Sequence, residues 1–202
     1  MVFLVSLCIL LMSLLIPPST YYLWMRQKER QVWNLKRNYK YEPKISLIIA
    51  TYNEAKVIKT KLENVYSLNY PEDKLEVIVV DSASTDGTLE VCREFLATHN
   101  IRFPTLLLSE EERRGKSHAL NTALQYAKGE IIATSDADSF WEPDALCNAV
   151  SFFADSSVGA VTGRERLINL GKSIHTLSEG LYRKFYYTLR LGESKIHSTL
   201  IF

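Results

Sequence analysis

"LEVIVVDSASTDG", residues 75–87, sets out the fold in its order of residue types. Leu75–Val80 is β-branched and almost continuously apolar, which reads as a strand covered on both faces. Asp81–Gly87 is a polar, turn-forming cluster. Ser84, Thr85 and Asp86 are cap candidates for a helix marked by Leu89, Cys92, Phe95 and Leu96. Strand, polar loop and helix make half of a βαβ unit, and such units build parallel sheets.

The same grammar extends in both directions. Upstream, "ISLIIA" at 45–50 is a strand, followed by a helix over Val57–Leu68 with Ile58, Leu62 and Val65 on one face. Downstream, Thr105–Leu108 and Glu130–Thr134 read as strands. Between them a helix over Lys116–Lys128 presents Leu120, Ala123, Leu124 and Ala127 and stops at Gly129. A fourth helix begins near Pro143 and Asp144, residues suited to a first turn. The expected fold class is α/β, a mostly parallel sheet flanked by helices, with no internal repeat.

The chain has 202 residues and a net charge of +1, so nothing global points to nucleic acid. Residues 1–25 carry no charged side chain and suffice for a transmembrane anchor, although Pro17 and Pro18 could end the span early. Tyr21, Tyr22 and Trp24 beside Arg26 resemble an interfacial belt, which puts the basic side in the cytoplasm. A secretory signal would need a basic start and a small-residue cleavage site, and neither stands out. Residues 26–44 form a basic juxtamembrane linker, with seven basic residues against Glu29 and Glu42. Cys8, Cys92 and Cys147 have no metal-ligand spacing and read as reduced, buried thiols.

The α/β body is expected over 45–170, and 171–202 differs from it. There Ile174, Leu177, Leu181, Phe185 and Leu189 recur at helical spacing, with Lys172, Arg183, Lys184, Arg190 and Lys195 on the other faces. This amphipathic helix either lies on an anionic membrane or packs against protein. "STLIF" at 198–202 reads as the opening of a further strand.

Open α/β sheets bind ligands beyond the carboxyl ends of their strands. Each strand here ends in a polar cluster: "TYNE" at 51–54, "DSASTDG" at 81–87, "SEEERRGK" at 109–116 and "SDAD" at 135–138. Any one alone reads as a turn or cap; together they make a site. Asp136 and Asp138, one residue apart, imply a turn and a cation to neutralise them. Mg²⁺ or Mn²⁺ suits one or two carboxylates plus substrate phosphates. Gly115-Lys116 opens a helix whose N–H groups and positive dipole end face the same edge. Arg113 and Arg114 are either counter-charge for a diphosphate or surface charge paired with Glu110–Glu112. Tyr52 and Asp81 offer an aromatic plane and an acceptor for a nucleobase and ribose. No phosphate-binding GxxxxGK[ST] loop or GxGxxG dinucleotide fingerprint is present. His99, His118, His175 and His197 sit in no recognisable nucleophile setting.

"SLIIATYNEA", "NYPEDKLEVIVVDSASTDGT", "RRGKSHALNTAL" and "GEIIATSDADSFWEPDAL", in this order, resemble the successive motifs of family 2 glycosyltransferases of the GT-A fold. The match runs from Ile45 to Gly163 and, with the anchor, is most similar to the polysaccharide-synthase branch that includes cellulose and hyaluronan synthases. The resemblance implies a nucleotide-sugar donor, UDP-sugar favoured and GDP-sugar possible. Thr51, Tyr52 and Glu54 would line the nucleotide pocket and Asp81 would contact the base. Lys116 would lie near the diphosphate, Asp136 near ribose or metal, and Asp138 would bind the metal. It further implies inverting transfer to a saccharide or lipid-linked acceptor at the cytoplasmic side of the membrane, with a dolichol-phosphate-type transferase as runner-up. Ser82 and Ala83 depart from the family's frequent Asp or Asn and Gly. The family's base, in a Glu-Asp motif, is expected beyond Phe202. The alternative is therefore a nucleotide-sugar-binding fragment or one part of a split enzyme.

Overall fold

The computed structural model describes residues 1–164, 166 and 174–196. Its elements run α1 (Val2–Glu29), β1 (Ile45–Thr51), α2 (Ile58–Tyr66), β2 (Leu75–Asp81), α3 (Thr88–Thr98), β3 (Thr105–Ser109), α4 (Lys116–Leu124), β4 (Ile131–Asp136), α5 (Ala145–Val150) and α6 (Ile174–Ser194), with a 3₁₀ turn at Ser151–Ala154. They form two compact units, one of them Lys36–Gly163.

That unit is a parallel four-stranded sheet in the order β3-β2-β1-β4. The chain builds outward from β1 to β3, then crosses back to lay β4 on the other side of β1. The reversal falls between β1 and β4, where ligand crevices form in such sheets. The two central strands are buried on both faces, as their unbroken apolar runs require. Ile45, Leu47 and Ile49 pack with Ile58, Leu62 and Val65 of α2, Cys92 and Phe95 of α3, and Leu146 and Val150 of α5. Ile48, Ile78 and Val80 face the other way, onto Ala119 and Ala123 of α4. Each such large side chain contributes roughly 1.5–3 kcal/mol by leaving water.

All four expected strands form, each continuing to the polar residue at its carboxyl end. The expected helix to Lys128 stops instead at Leu124. The reason lies at the foot of the sheet. The Lys128 N–H donates to Glu76 Oε1 at 2.6 Å and the Gly129 N–H to Ser46 Oγ at 2.7 Å, which draws the chain off the helix. Gly129 is needed for this close approach, since a Cβ there would sit 2.4 Å from the Ser46 nitrogen. Asp86 caps α3 from one residue further out than a regular N-cap, its carboxylate accepting the Thr88 N–H at 3.1 Å behind Gly87 at φ 93°. Of the thiols, Cys92 is buried and pushed up to about 12 by desolvation, while Cys147 is half-buried.

The second unit holds Met1–Leu35 and the described residues from Arg164 onward. α1 is long and apolar enough to cross a membrane, and Pro17 and Pro18 do not end it. Thr20 Oγ1 donates to the Ile16 and Pro17 carbonyls beside the break in the ladder. α6 packs on α1 through Gly192, whose absent Cβ would lie 2.5 Å from the Met25 carbonyl oxygen, and through stacked Tyr22 and Phe185 rings at 4.9 Å. Leu177 and Leu181 on the apolar stripe of α6 remain exposed. The expected strand at 198–202 and the helix start at 171–173 lie outside the described residues.

Candidate functional site

Register brings the polar clusters to one edge. Thr51 pairs with Asp81, Asp81 with Ser109, and Ala50 with Asp136, so the strand-end residues stand in a row. Asp81 is buried and accepts three hydrogen bonds. Its Oδ1 accepts the Thr51 hydroxyl at 3.2 Å and the Ser84 hydroxyl at 2.5 Å, and its Oδ2 accepts the Ser84 N–H at 3.0 Å.

The loops after β1 and β2 are laced together above it. The Asn53 N–H donates to Ser84 Oγ at 2.9 Å, and Asn53 Oδ1 accepts the Thr85 N–H at 2.9 Å. The Glu54 N–H meets Thr88 Oγ1 at 2.8 Å and the Ala55 N–H meets Asp86 Oδ2 at 3.0 Å. This lacing holds Asn53 and Ala83 in the left-handed region, at φ 56° and 55°. Asn tolerates that conformation; alanine is strained there by about 1 kcal/mol. Ala83 thus occupies a backbone position that suits glycine.

Arg113 and Arg114 make different contacts, and of the two only Arg114 makes the expected surface pairing. The Arg113 guanidinium lies 3.9 Å over the Tyr52 ring, while Arg114 pairs with Glu112 at 2.5 Å. Glu110 belongs to neither description. Its carboxylate is nearly buried and accepts the Ser82 hydroxyl at 2.6 Å, and it meets His118 Nδ1 at 2.6 Å and Thr122 Oγ1 at 3.3 Å. Burial alone would raise its pKa, but these bonds bring it below the usual value. Sequence reading placed Glu110 among surface charges and gave His118 no setting. The available signal was register, since Glu110 directly follows β3 and its N–H donates to the Asp81 carbonyl at 2.9 Å.

At the other end, β4 stops at Asp136 and a turn carries Asp138, as the spacing of the two carboxylates requires. Both are exposed, and Asp136 pairs with Lys116 at the start of α4. An exposed pair of this kind contributes about 0–1 kcal/mol, so either partner is available to a ligand. Glu54 faces the same space. Its pKa is raised by burial first, then by the charges of Asp138, Asp86 and Asp136. A carboxyl group crowded by neighbouring carboxylates fits a hard divalent cation, whose affinity is for oxygen. Among the described residues no three His, Cys, Asp or Glu side chains are grouped to hold a metal by themselves. An ion here would draw further ligands from substrate phosphates or water.

A parallel sheet reversing beside β1, with helices on both faces and carboxylates beyond β4, defines the GT-A type of α/β fold. The chain belongs to the family described as Glycosyl transferase family 2, which residues 46–199 match. YdaM, a probable glycosyltransferase of Bacillus subtilis, is 34% identical over 149 residues, 73% of this chain and 36% of the relative. A poly-beta-1,6-N-acetyl-D-glucosamine synthase of Staphylococcus epidermidis is 33% identical over 153 residues, 75% of this chain and 36% of the relative. Among solved structures, the mannosyltransferase PcManGT from Pyrobaculum calidifontis, in complex with GDP-Man and Mn²⁺, is 44% identical with a TM-score of 0.76. That likeness covers 88% of this chain and 47% of that one. Staphylococcus aureus TarS with UDP-GlcNAc is 27% identical, TM-score 0.51, over 64% of this chain and 38% of that one. The chain therefore spans between about a third and a half of the length of these relatives.

Proposed function

We propose that residues 1–202 carry the donor half of a membrane-bound, inverting glycosyltransferase. The substrate is a nucleotide-diphosphate sugar, and the acceptor is a saccharide or lipid hydroxyl in polysaccharide or glycolipid synthesis. The observation that carries this reading is the register, which sets Thr51, Asp81 and Asp136 on one edge with Tyr52, Glu54, Lys116 and Asp138 beside them.

In this reading Asp81 Oδ2, which accepts only the Ser84 N–H within the protein, accepts from the nucleobase, and the Tyr52 ring packs on that base. Lys116 draws the diphosphate to the start of α4, where N–H groups and the dipole add attraction. Asp138, with Asp136, would hold Mg²⁺ or Mn²⁺, which when bound offsets charge on the departing diphosphate. The acceptor oxygen bonds to the anomeric carbon as the bond to the diphosphate oxygen breaks, and the hydroxyl proton passes to a carboxylate base. No residue from Met1 to Phe202 is assigned as that base. The exposed apolar length of α1, flanked by Tyr21, Trp24, Arg26 and Lys28, supports the membrane location.

The family resemblance favours UDP, while the 44% identical structure was solved with GDP-Man. Calorimetric titration of UDP and GDP into the detergent-solubilised chain, with and without Mn²⁺, separates them. One nucleotide binding in a Mn²⁺-dependent manner supports the reading. No binding of either, by protein shown to be folded, overturns it.

A further inference from the structure

Lys61 is fully buried, yet it lies in none of the polar clusters at the strand ends. It projects from α2 beneath the Asp136–Asp138 turn. Its ammonium donates to Ser135 Oγ at 2.6 Å and to the Ser139 carbonyl at 2.5 Å, the residues immediately before and after that turn. One turn along α2, Asn64 clamps both backbone groups of Trp141. Its Nδ2 donates to the Trp141 carbonyl and its Oδ1 accepts the Trp141 N–H, each at 2.8 Å. Past the helix end, the Asn69 N–H donates to the Pro143 carbonyl at 2.8 Å and its Nδ2 to Asp144 Oδ1 at 2.7 Å. α2 is a rail along which the segment 135–144 is pinned.

Asn64 and Asn69 do this with neutral groups, and Lys61 does it with a charge. A buried ammonium is strongly disfavoured unless paired. Its direct partners are a hydroxyl, a carbonyl and the Trp141 ring at 5.3 Å, all neutral. The opposing charges that act on it are Asp136 and Asp138. A core position alone would be filled better by Met or Leu. A cation there gains only by holding a carboxylate-bearing turn above it.

We propose that Lys61 is a positioning residue for the metal-dependent part of donor binding: its ammonium fixes the Asp136–Asp138 turn from below so that both carboxylates meet the ion and diphosphate already oriented. This rests on the donor-site reading given above. Outer groups that orient metal ligands are typically worth about 10–100-fold in affinity.

The test measures the affinity of the solubilised full chain for GDP and for UDP, each with and without Mn²⁺. It compares wild type, Lys61→Met and Ser135→Ala, with folding checked by thermal unfolding. The expected result is that Mn²⁺ tightens nucleotide binding in wild type. In Lys61→Met that tightening falls by about tenfold or more, and in Ser135→Ala by a smaller factor, with metal-free affinity unchanged. Should Lys61→Met fail to fold, the Ser135→Ala result decides. Full tightening retained in the folded variants overturns the role of Lys61 and leaves the donor site standing. Equal weakening with and without metal overturns it too, reducing Lys61 to a core residue. Wild type that binds nucleotide without any response to Mn²⁺ overturns the metal reading and this inference together.

Discussion

The two ends of the strand-end row are built by opposite means. At β1 and β2, Asp81 is buried and accepts three hydrogen bonds, and the loops above are tied by four bonds between 53–55 and 84–88. At β4, Asp136 and Asp138 stand exposed, with only a solvent-facing lysine paired to the first. One end is a finished recess, whose shape exists before any ligand arrives. The other is a pair of exposed carboxylates over a buried lysine, which on the donor-site reading proposed above a cation and phosphate would complete. A pocket that recognises a neutral base gains from rigidity, while one that collects a dianion and a metal gains from unspent charge.

Breaking the recess has the largest expected effect. Asp81→Ala removes the buried acceptor of Thr51 Oγ1, Ser84 Oγ and the Ser84 N–H. It is expected to lower unfolding free energy by about 3–4 kcal/mol and to abolish nucleotide binding. Chemical denaturation beside calorimetry checks both. A stable Asp81→Ala protein would show that the two ends do not differ in the way described.

The buried cation under the open end gives a prediction of similar size. Burial pushes Lys61 down to about 8 from 10.5, with Asp136 and Asp138 pulling it back upward. Below pH 8 folded and unfolded chains both carry the proton, and the folded state bears the full desolvation penalty. Between about 8 and 10.5 the unfolded chain binds more protons, so stability rises with pH. The contribution is on the order of 3 kcal/mol across that window. Wild type minus Lys61→Met, followed by denaturation from pH 7.5 to 10.5, isolates it from other groups. A difference flat in pH would mean the ammonium is better compensated than its neutral partners suggest.

Asp138→Ala is the counterpart of Asp81→Ala. Stability is expected within about 0.5 kcal/mol of wild type, because the side chain is exposed. Mn²⁺-dependent tightening of nucleotide binding is expected to disappear, a loss of about tenfold to a hundredfold, or roughly 1.4–2.7 kcal/mol. If Asp138→Ala destabilises the fold as Asp81→Ala does, the open end is also structural.

How legible each end was in the sequence follows from the same contrast. The strands and the row of clusters were readable because parallel strands advertise themselves by unbroken apolar runs, and Asp81, Asp136 and Asp138 sit where those runs stop. The supports were not readable. Lys61 looked like one more polar residue of an amphipathic helix, since no local pattern distinguishes a lysine turned under a loop 74 residues away. Glu110 and His118 were hidden for the same reason. Their partnership with Ser82 depends on how β2 and β3 align, and alignment is a tertiary property. The shortened α4 was likewise decided by Ser46 and Glu76, far away in sequence.

The smallest expected effect tests whether the recess is strained. Ala83 holds φ 55° because the Asp81–Ser84 bonds and the Asn53–Thr85 tie require that turn. Left-handed backbone costs a non-glycine residue about 1–2 kcal/mol, and glycine would remove that cost. Glycine also loosens the unfolded chain, which takes back about 0.4–1 kcal/mol. Ala83→Gly is therefore expected to stabilise the protein by about 0.5 kcal/mol, read as a small rise in denaturation midpoint at constant slope. Nucleotide affinity should hold, because the bonds that shape the recess involve neighbours of residue 83 and not its methyl group. A destabilised variant would mean the methyl packs usefully. Altered affinity would mean the strained turn tunes the base site itself, and the recess would then be a tensioned element instead of a finished one.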